Sequence, residues 1–401
     1  MSTDTRLKGV CHVLDAYNLI YINSIIKEDM LANTKLYVKN ILSKKTNRKI
    51  VVIYVDDFGS IRTKNIEAKD NLSALGIPME GSRYSFDTLL SNEDFGMLYD
   101  VLTSVKDKNG HHACFTPFAN IANPDFDRIK ESGFQKYFRE PFVKTLERYG
   151  SSHNEVYSYW KQGIVENIFR PEYHGTEHLN VHRFIKALQD GHKSTLLAFE
   201  NESVCMPTFP GETEIRRASG IFAIDKAEEN ESLCDDLKVG LNMFEDLLGY
   251  RSTQFTPGGG MHSCLINKEL YDNGIKYVHV GRTIHYPLGD GKFKTEHAYT
   301  GKQNNIGQTY IVRNCPFETI FDNCKYNNSV VKICLDNIEA AFRMHNLALV
   351  STHRVNFAGS IDSEHRDNAM KQLRLLLSEI VKRWPDVEFM SGQEMTQAIF
   401  E

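Results

Sequence analysis

The stretch Lys49-Ile50-Val51-Val52-Ile53-Tyr54-Val55-Asp56-Asp57-Phe58-Gly59 carries the first decision about the fold. Its apolar, largely β-branched positions are consecutive rather than alternating, the pattern of a strand buried on both faces in a parallel sheet. Charge arrives only at its end, as Asp56 and Asp57. Open α/β sheets and α/β barrels gather their chemistry at the carboxyl ends of strands. Two neighbouring carboxylates at the mouth of a buried strand therefore predict a metal or proton-transfer role. The plain alternative is a loop with solvated aspartates.

Outward from this strand, further extended segments are predicted at 112–118, 276–280, 347–353 and 387–389. Helices are predicted between them at 155–170, 179–190 and 226–248, in an aromatic stretch from Phe134 to Leu146, and along the face Ala369, Leu373, Leu376, Ile380 and Trp384. That last face has a near 3.6 period. Strands alternating with helices give an α/β class with a parallel sheet. Residues 10–48 place apolar side chains three to five apart, from Val10 to Ile41, so 1–48 are expected to form an N-terminal helical extension before a 49–401 domain. Residues 200–225 have the least regular pattern and are expected to be an insertion or lid.

Composition excludes several classes. Over 401 residues, 41% are hydrophobic and 25% charged, the balance of an ordinary globular protein. Lys and Arg total 47 against 52 Asp and Glu, a net charge of −5. A generic nucleic-acid binder needs a basic surface, so nucleic acid is not an expected partner. The 8 cysteines include no C-x-x-C pair, against zinc-ribbon and thioredoxin readings. No apolar run suits a membrane span. With no leader-like start, the expected location is cytoplasmic. Oligomeric state is not legible.

The sharpest local motif is His174-Gly175-Thr176-Glu177-His178. On a helical turn, positions i and i+4 share a face, and two imidazoles there could grip one zinc-like ion. Among 15 histidines some such pair arises by chance, and His178 with His182 is another. His182 is expected on a helix surface, His262 is a weak site candidate, and His111-His112 are expected to open a strand. The company of the first pair matters more. Asp56-Asp57 close one strand, His353 closes another, and Pro257-Gly258-Gly259-Gly260 forms a tight loop between. One carboxylate and two histidines leave coordination positions open, as catalytic metal sites do.

In this order the elements resemble the polysaccharide deacetylase (NodB-like carbohydrate esterase) family. The family's T-F-D-D-G corresponds to Tyr54-Val55-Asp56-Asp57-Phe58-Gly59, and its H-[ST]-x-x-H to His174 through His178. Its third motif, near R-P-P-Y/G, corresponds to Thr256-Pro257-Gly258-Gly259, and its late strand histidine to His353. Ser391 through Glu394 fit its ending. The resemblance spans about 49–400, with insertions near 60–110, 125–165 and 195–225. It implies a distorted, seven-stranded (β/α) barrel and a metal-dependent hydrolase that removes acetyl groups from N- or O-acetylated sugars or polysaccharide precursors. The implied divalent metal is zinc, with cobalt, nickel or iron as alternatives. By carry-over Asp57, His174 and His178 are metal ligands, Asp56 the general base and His353 the general acid. Thr256, Pro257, Gly258 and Arg354 would meet substrate. Three positions depart from the pattern: Phe58 is interposed, Gly175 replaces Ser or Thr, and Thr256 replaces the arginine that orients the base. Arg354 or Arg282 could substitute for that arginine.

Two other functions fit parts of the sequence. His174-x-x-Glu177-His178 also spells the H-x-x-E-H of inverted zinc peptidases, with Glu177 as base and Glu245 as a further ligand. That reading needs a helix, which Gly175 weakens, and leaves Asp56, Asp57 and His353 idle. A non-catalytic carbohydrate binder on the same fold fits the missing arginine.

Overall fold

A computed structural model describes residues 34–80, 82, 85–215, 218–321 and 330–401. Most of the expected N-terminal helix, 10–33, lies outside them. Within them only 34–38 are helical. Residues 39–48 turn instead, and Arg48 pairs with Glu388 at 2.6 Å.

The core of the fold is a parallel sheet. Its strands are β1 (Lys49–Phe58), β2 (Phe115–Asn120), β3 (Glu172–Gly175), β4 (Gln254–Phe255), β5 (Tyr277–His279), β6 (Thr309–Ile311), β7 (Cys315–Pro316), β8 (Ala348–His353) and β9 (Val387–Phe389). The order is β6-β5-β4-β3-β2-β1-β8-β7, with β9 beside the start of β1. Only residues 312–314 separate β6 from β7. One chain segment thus stands at both ends of the sheet and closes it into a distorted barrel of seven staves.

Period-two alternation divides each strand between two cores. Ile50, Val52 and Tyr54 of β1 face the barrel interior with Phe118, Tyr277, Ile311 and Leu349. Val51, Ile53 and Val55 face the helical layer, with Phe115, Phe169, Leu373 and Leu377. Burial on both faces explains why β1 reads as an unbroken apolar run.

The end of β1 breaks this alternation. Asp57 has φ 75°, and the pairing with β2 shifts register between Val55 and Phe58. On a regular strand Asp56 and Asp57 would point to opposite faces. The left-handed residue turns the second carboxylate back toward the mouth. Gly59 follows at φ 81°, and a Cβ there would lie 2.1 Å from the Asn120 carbonyl oxygen.

Several expected elements differ. The aromatic stretch from Phe134 to Leu146 is not one helix. It holds an extended segment Arg139–Pro141 paired with Ala122–Pro124, then a helix Phe142–Tyr149. Pro141 cannot supply the amide that a helix interior needs. Strands β6 and β7 and the hairpin Thr283–Gly289 with Lys292–His297 were not expected from the sequence. The long helices are Glu229–Leu248 and Ser363–Arg383. No helix among the described residues is long and apolar enough to cross a membrane.

Candidate metal centre

At the carboxyl rim of the barrel, Asp57, His174 and His178 bring one ligand atom each to within 4.8 Å of one another, all three residues buried. Asp57 comes from the bent end of β1 and His174 from β3. His178 comes from the irregular segment after β3, so the two histidines do not share a helical turn. A sharp bend with Gly175 at φ 128° brings their ring centroids to 4.9 Å. The helix that the peptidase reading required is absent here. Glu177 is buried and turned elsewhere, its Oε2 accepting from Arg139 Nε at 3.2 Å. Glu245 is half exposed and pairs with Arg251.

His174 Nδ1 lies 2.8 Å from the Thr256 carbonyl oxygen, so that nitrogen carries the proton and donates. Its Nε2 then presents a lone pair to Asp57 Oδ1 at 3.2 Å, acceptor facing acceptor. Such a contact is favourable only with a cation, a proton or a metal, between them. His178 Nε2 lies 2.9 Å from the same oxygen. Tetrahedral ligands with bonds of 2.0–2.1 Å stand roughly 3.3 Å apart, so these spacings suit a zinc-sized ion. Thr256, expected to meet substrate, orients His174 through its carbonyl oxygen.

The environment of His178 is less usual. Arg62 Nη2 donates to its Nδ1 at 3.2 Å, where metal-binding histidines ordinarily donate to a carbonyl or carboxylate. Burial pushes the His178 pKa down; Asp57 opposes this and Arg62 adds to it. Burial would raise the Asp57 pKa, but the two imidazoles hold it well below the ordinary carboxylate value. Arg62 also approaches the fully buried Asp87, 3.6 Å away. Arg354 binds that same Asp87 at 2.6 Å and points to the Ser60 carbonyl oxygen. Expected to meet substrate, Arg354 is 0% exposed and is instead part of this buried support.

Next to the three ligand candidates stands a second pair. Asp56 and His353 are register partners on β1 and β8, with His353 Nε2 3.8 Å from Asp56 Oδ2. Arg313 grips Asp56 with two hydrogen bonds, of 2.7 and 2.8 Å. Burial alone would raise the Asp56 pKa; the guanidinium overcomes it and brings the net shift down. His353 Nδ1 lies 2.5 Å from Glu318 Oε1. Burial works against its charged form, but Glu318, with help from Asp57 and Asp56, raises its pKa to about 9. Asp56 is thus held ionised and His353 protonated near neutrality.

Sequence reasoning missed Arg313 and Glu318. Arg313, in the link between β6 and β7, restores the clamp that Thr256 cannot provide. Arg282, proposed for that task, instead donates to the Lys39 carbonyl oxygen at 2.6 Å. The usable signal was Gln308-Thr309-Tyr310-Ile311-Val312-Arg313, an apolar run closed by a charge, as in β1.

The Pro257–Gly260 loop is shaped by a neighbour. A Cβ on Gly258 would lie 2.4 Å from Ile221 Cδ1 and 3.2 Å from His178 Nε2. A Cβ on Gly175 would lie 2.8 Å from the same Ile221 methyl. The departure at 175 thus makes room for Ile221. Of the remaining histidines, His182 lies on the helix Val181–Gln189 with its side chain 74% exposed. His262 is buried and bonded to Asn267. His112 precedes β2 rather than opening it.

No protein-family model matches the chain, and no curated protein matches it. Solved structures do. A probable polysaccharide deacetylase from Pseudomonas aeruginosa aligns at 10% identity and TM-score 0.44, over 88% of this chain and 91% of that one. A CE4-family pseudoenzyme from Bacillus anthracis aligns at 12% identity and TM-score 0.35, over 87% and 66%. A 4-alpha-glucanotransferase from Thermococcus litoralis aligns at 9% identity and TM-score 0.43, over 87% and 40%. With TM-scores below 0.5, these likenesses say nothing about the reaction.

Proposed function

We propose that this protein is a metal-dependent hydrolase that removes acetyl groups from N- or O-acetylated carbohydrate. The observation that carries the reading is the pairing at the barrel mouth. A buried carboxylate with two imidazoles stands beside an arginine-clamped carboxylate that faces a carboxylate-paired histidine.

Asp57, His174 and His178 would hold the divalent ion, zinc first by its donor set, with cobalt, nickel or iron as alternatives. Such an ion supplies a Lewis acid and lowers the pKa of water toward about 7. The remaining work falls to the chain. Asp56, ionised and aimed by Arg313, accepts the proton of the attacking water. His353, protonated and fixed by Glu318, donates its Nε2 proton to the departing nitrogen or oxygen. Thr256 keeps His174 in the tautomer whose Nε2 faces Asp57. The ordered motifs ending β1, β3 and β8 support the acetylated-sugar substrate.

The peptidase reading has no support in this geometry, because Glu177 is bound to Arg139 and the histidines are not helical. A binder without turnover would need neither the Arg313 clamp nor the Glu318 partner. The test is acetate release from a panel of N- and O-acetylated mono- and oligosaccharides by zinc- and cobalt-loaded protein. Loaded protein that frees acetate from none of them would end the deacetylase assignment.

A further inference from the structure

We propose that Ile221 sets the size of the acyl group this site accepts, an inference that rests on the deacylase reading. The residue comes from the insertion between β3 and β4. Its δ-methyl fills the space that a side chain at either Gly175 or Gly258 would take. A single Cβ on Gly258 would touch both that methyl and His178 Nε2, the nitrogen that faces Asp57. Ile221 therefore forms a wall against the Gly175 and Gly258 backbones, beside His178.

Behind that wall lies space. Ile221 also lines a cavity of about 170 Å³, together with Leu179, Val181, Phe222 and Leu233. Polar side chains line it as well, among them Arg139, Glu177, His182, Glu229 and Asp236. An acyl carbon bonded to oxygen and leaving group at the triad has one remaining direction for its alkyl chain. A methyl fits in front of Ile221. A propyl chain meets it, unless the isoleucine is shortened and the cavity opens to it. The flanking glycines are consistent with this, since each leaves the isoleucine free to reach the triad.

The experiment compares wild type with Ile221→Ala and the more conservative Ile221→Val. Zinc-loaded proteins are assayed on 4-methylumbelliferyl acetate, propionate and butyrate, which share one leaving group. Acetate and butyrate binding is measured in parallel by calorimetry. A few methyl groups in an apolar pocket change selectivity by about tenfold or more. Ile221→Ala should raise the butyrate-to-acetate preference by that much in rate and in binding, with Ile221→Val between it and wild type. An unchanged preference on both readouts overturns the inference. A wild type without turnover on any ester counts against the deacylase reading instead, and carboxylate binding then decides for or against Ile221.

Discussion

Arg313 and Asp56, 257 positions apart in the chain, meet at the barrel mouth through two parallel hydrogen bonds, 2.7 and 2.8 Å long. The guanidinium fork fixes the carboxylate's plane and keeps it charged. Lysine cannot reproduce two planar contacts. Arg313→Lys should therefore lower kcat/KM by roughly 10²-fold, the usual scale of a misplaced base, with bound metal unchanged. Steady-state kinetics with elemental analysis checks this; an active Arg313→Lys enzyme would remove Asp56 from the role of base.

Glu318 sets the charge of His353. With the partner present, the folded pKa stands at about 9, above the ordinary value of about 6.5. Glu318→Gln should move the alkaline limb of the pH–rate profile downward toward that value. A raised folded pKa contributes stability that is fully present below the unfolded pKa and lost as pH rises through the folded one. The melting-temperature deficit of Glu318→Gln should thus be larger at about pH 6 than at about pH 10. A deficit independent of pH would show that the pair adds no such linkage.

Metal binding separates the two hydrolase readings. Asp57→Asn should lose the ion and, with it, both activity and the thermal stabilisation that added zinc gives the wild type. Glu177→Gln, on the far side of the bend, should keep the ion and measurable deacetylation. Stoichiometric zinc in Asp57→Asn protein would sink the proposed ligand set.

Arg62 is the unusual neighbour. It offers His178 Nδ1 only donors, whereas a ligating imidazole wants an acceptor there. Arg62→Gln supplies a carbonyl oxygen instead and should tighten zinc binding by roughly 10-fold, within the range of such supporting contacts. The same change leaves Asp87 with less positive charge and should lower the melting temperature. Competition with a fluorescent chelator reads the affinity; weaker zinc binding would make Arg62 a supporting group rather than an opposing one.

Gly59→Ala tests the bend after β1. The added Cβ would strike the backbone oxygen of Asn120, at a φ that alanine rarely adopts. The expected cost is about 3 kcal/mol or more, read as a shift of the urea midpoint.

Much of this architecture was legible because it depends on local pattern. A strand buried on both faces is apolar without alternation, so β1 and β8 declare themselves, and a charge at the end of such a run marks the rim. Asp57, His174, His178, Asp56 and His353 could be nominated on that ground, together with the order of their motifs. The helical face from Ala369 to Ile380 was visible for the same reason, with a period of 3.6 instead of 2.

What the tertiary structure alone decided is which side chains finish the site. The histidines were expected on a helix, yet a strand end and a bend bring them together, since Gly175 has to yield to Ile221. Arg354 was expected at the substrate and is buried against Asp87. Arg313 and Glu318, which hold the base and the acid, lie between the two short strands that close the barrel and just beyond the second. Two- and three-residue strands carry almost no periodic signal, and their contacts are non-local, 257 positions apart for Arg313 with Asp56 and 35 for Glu318 with His353. Local propensity can mark where a charge leaves a buried strand, but only the closed barrel determines which distant charge it meets.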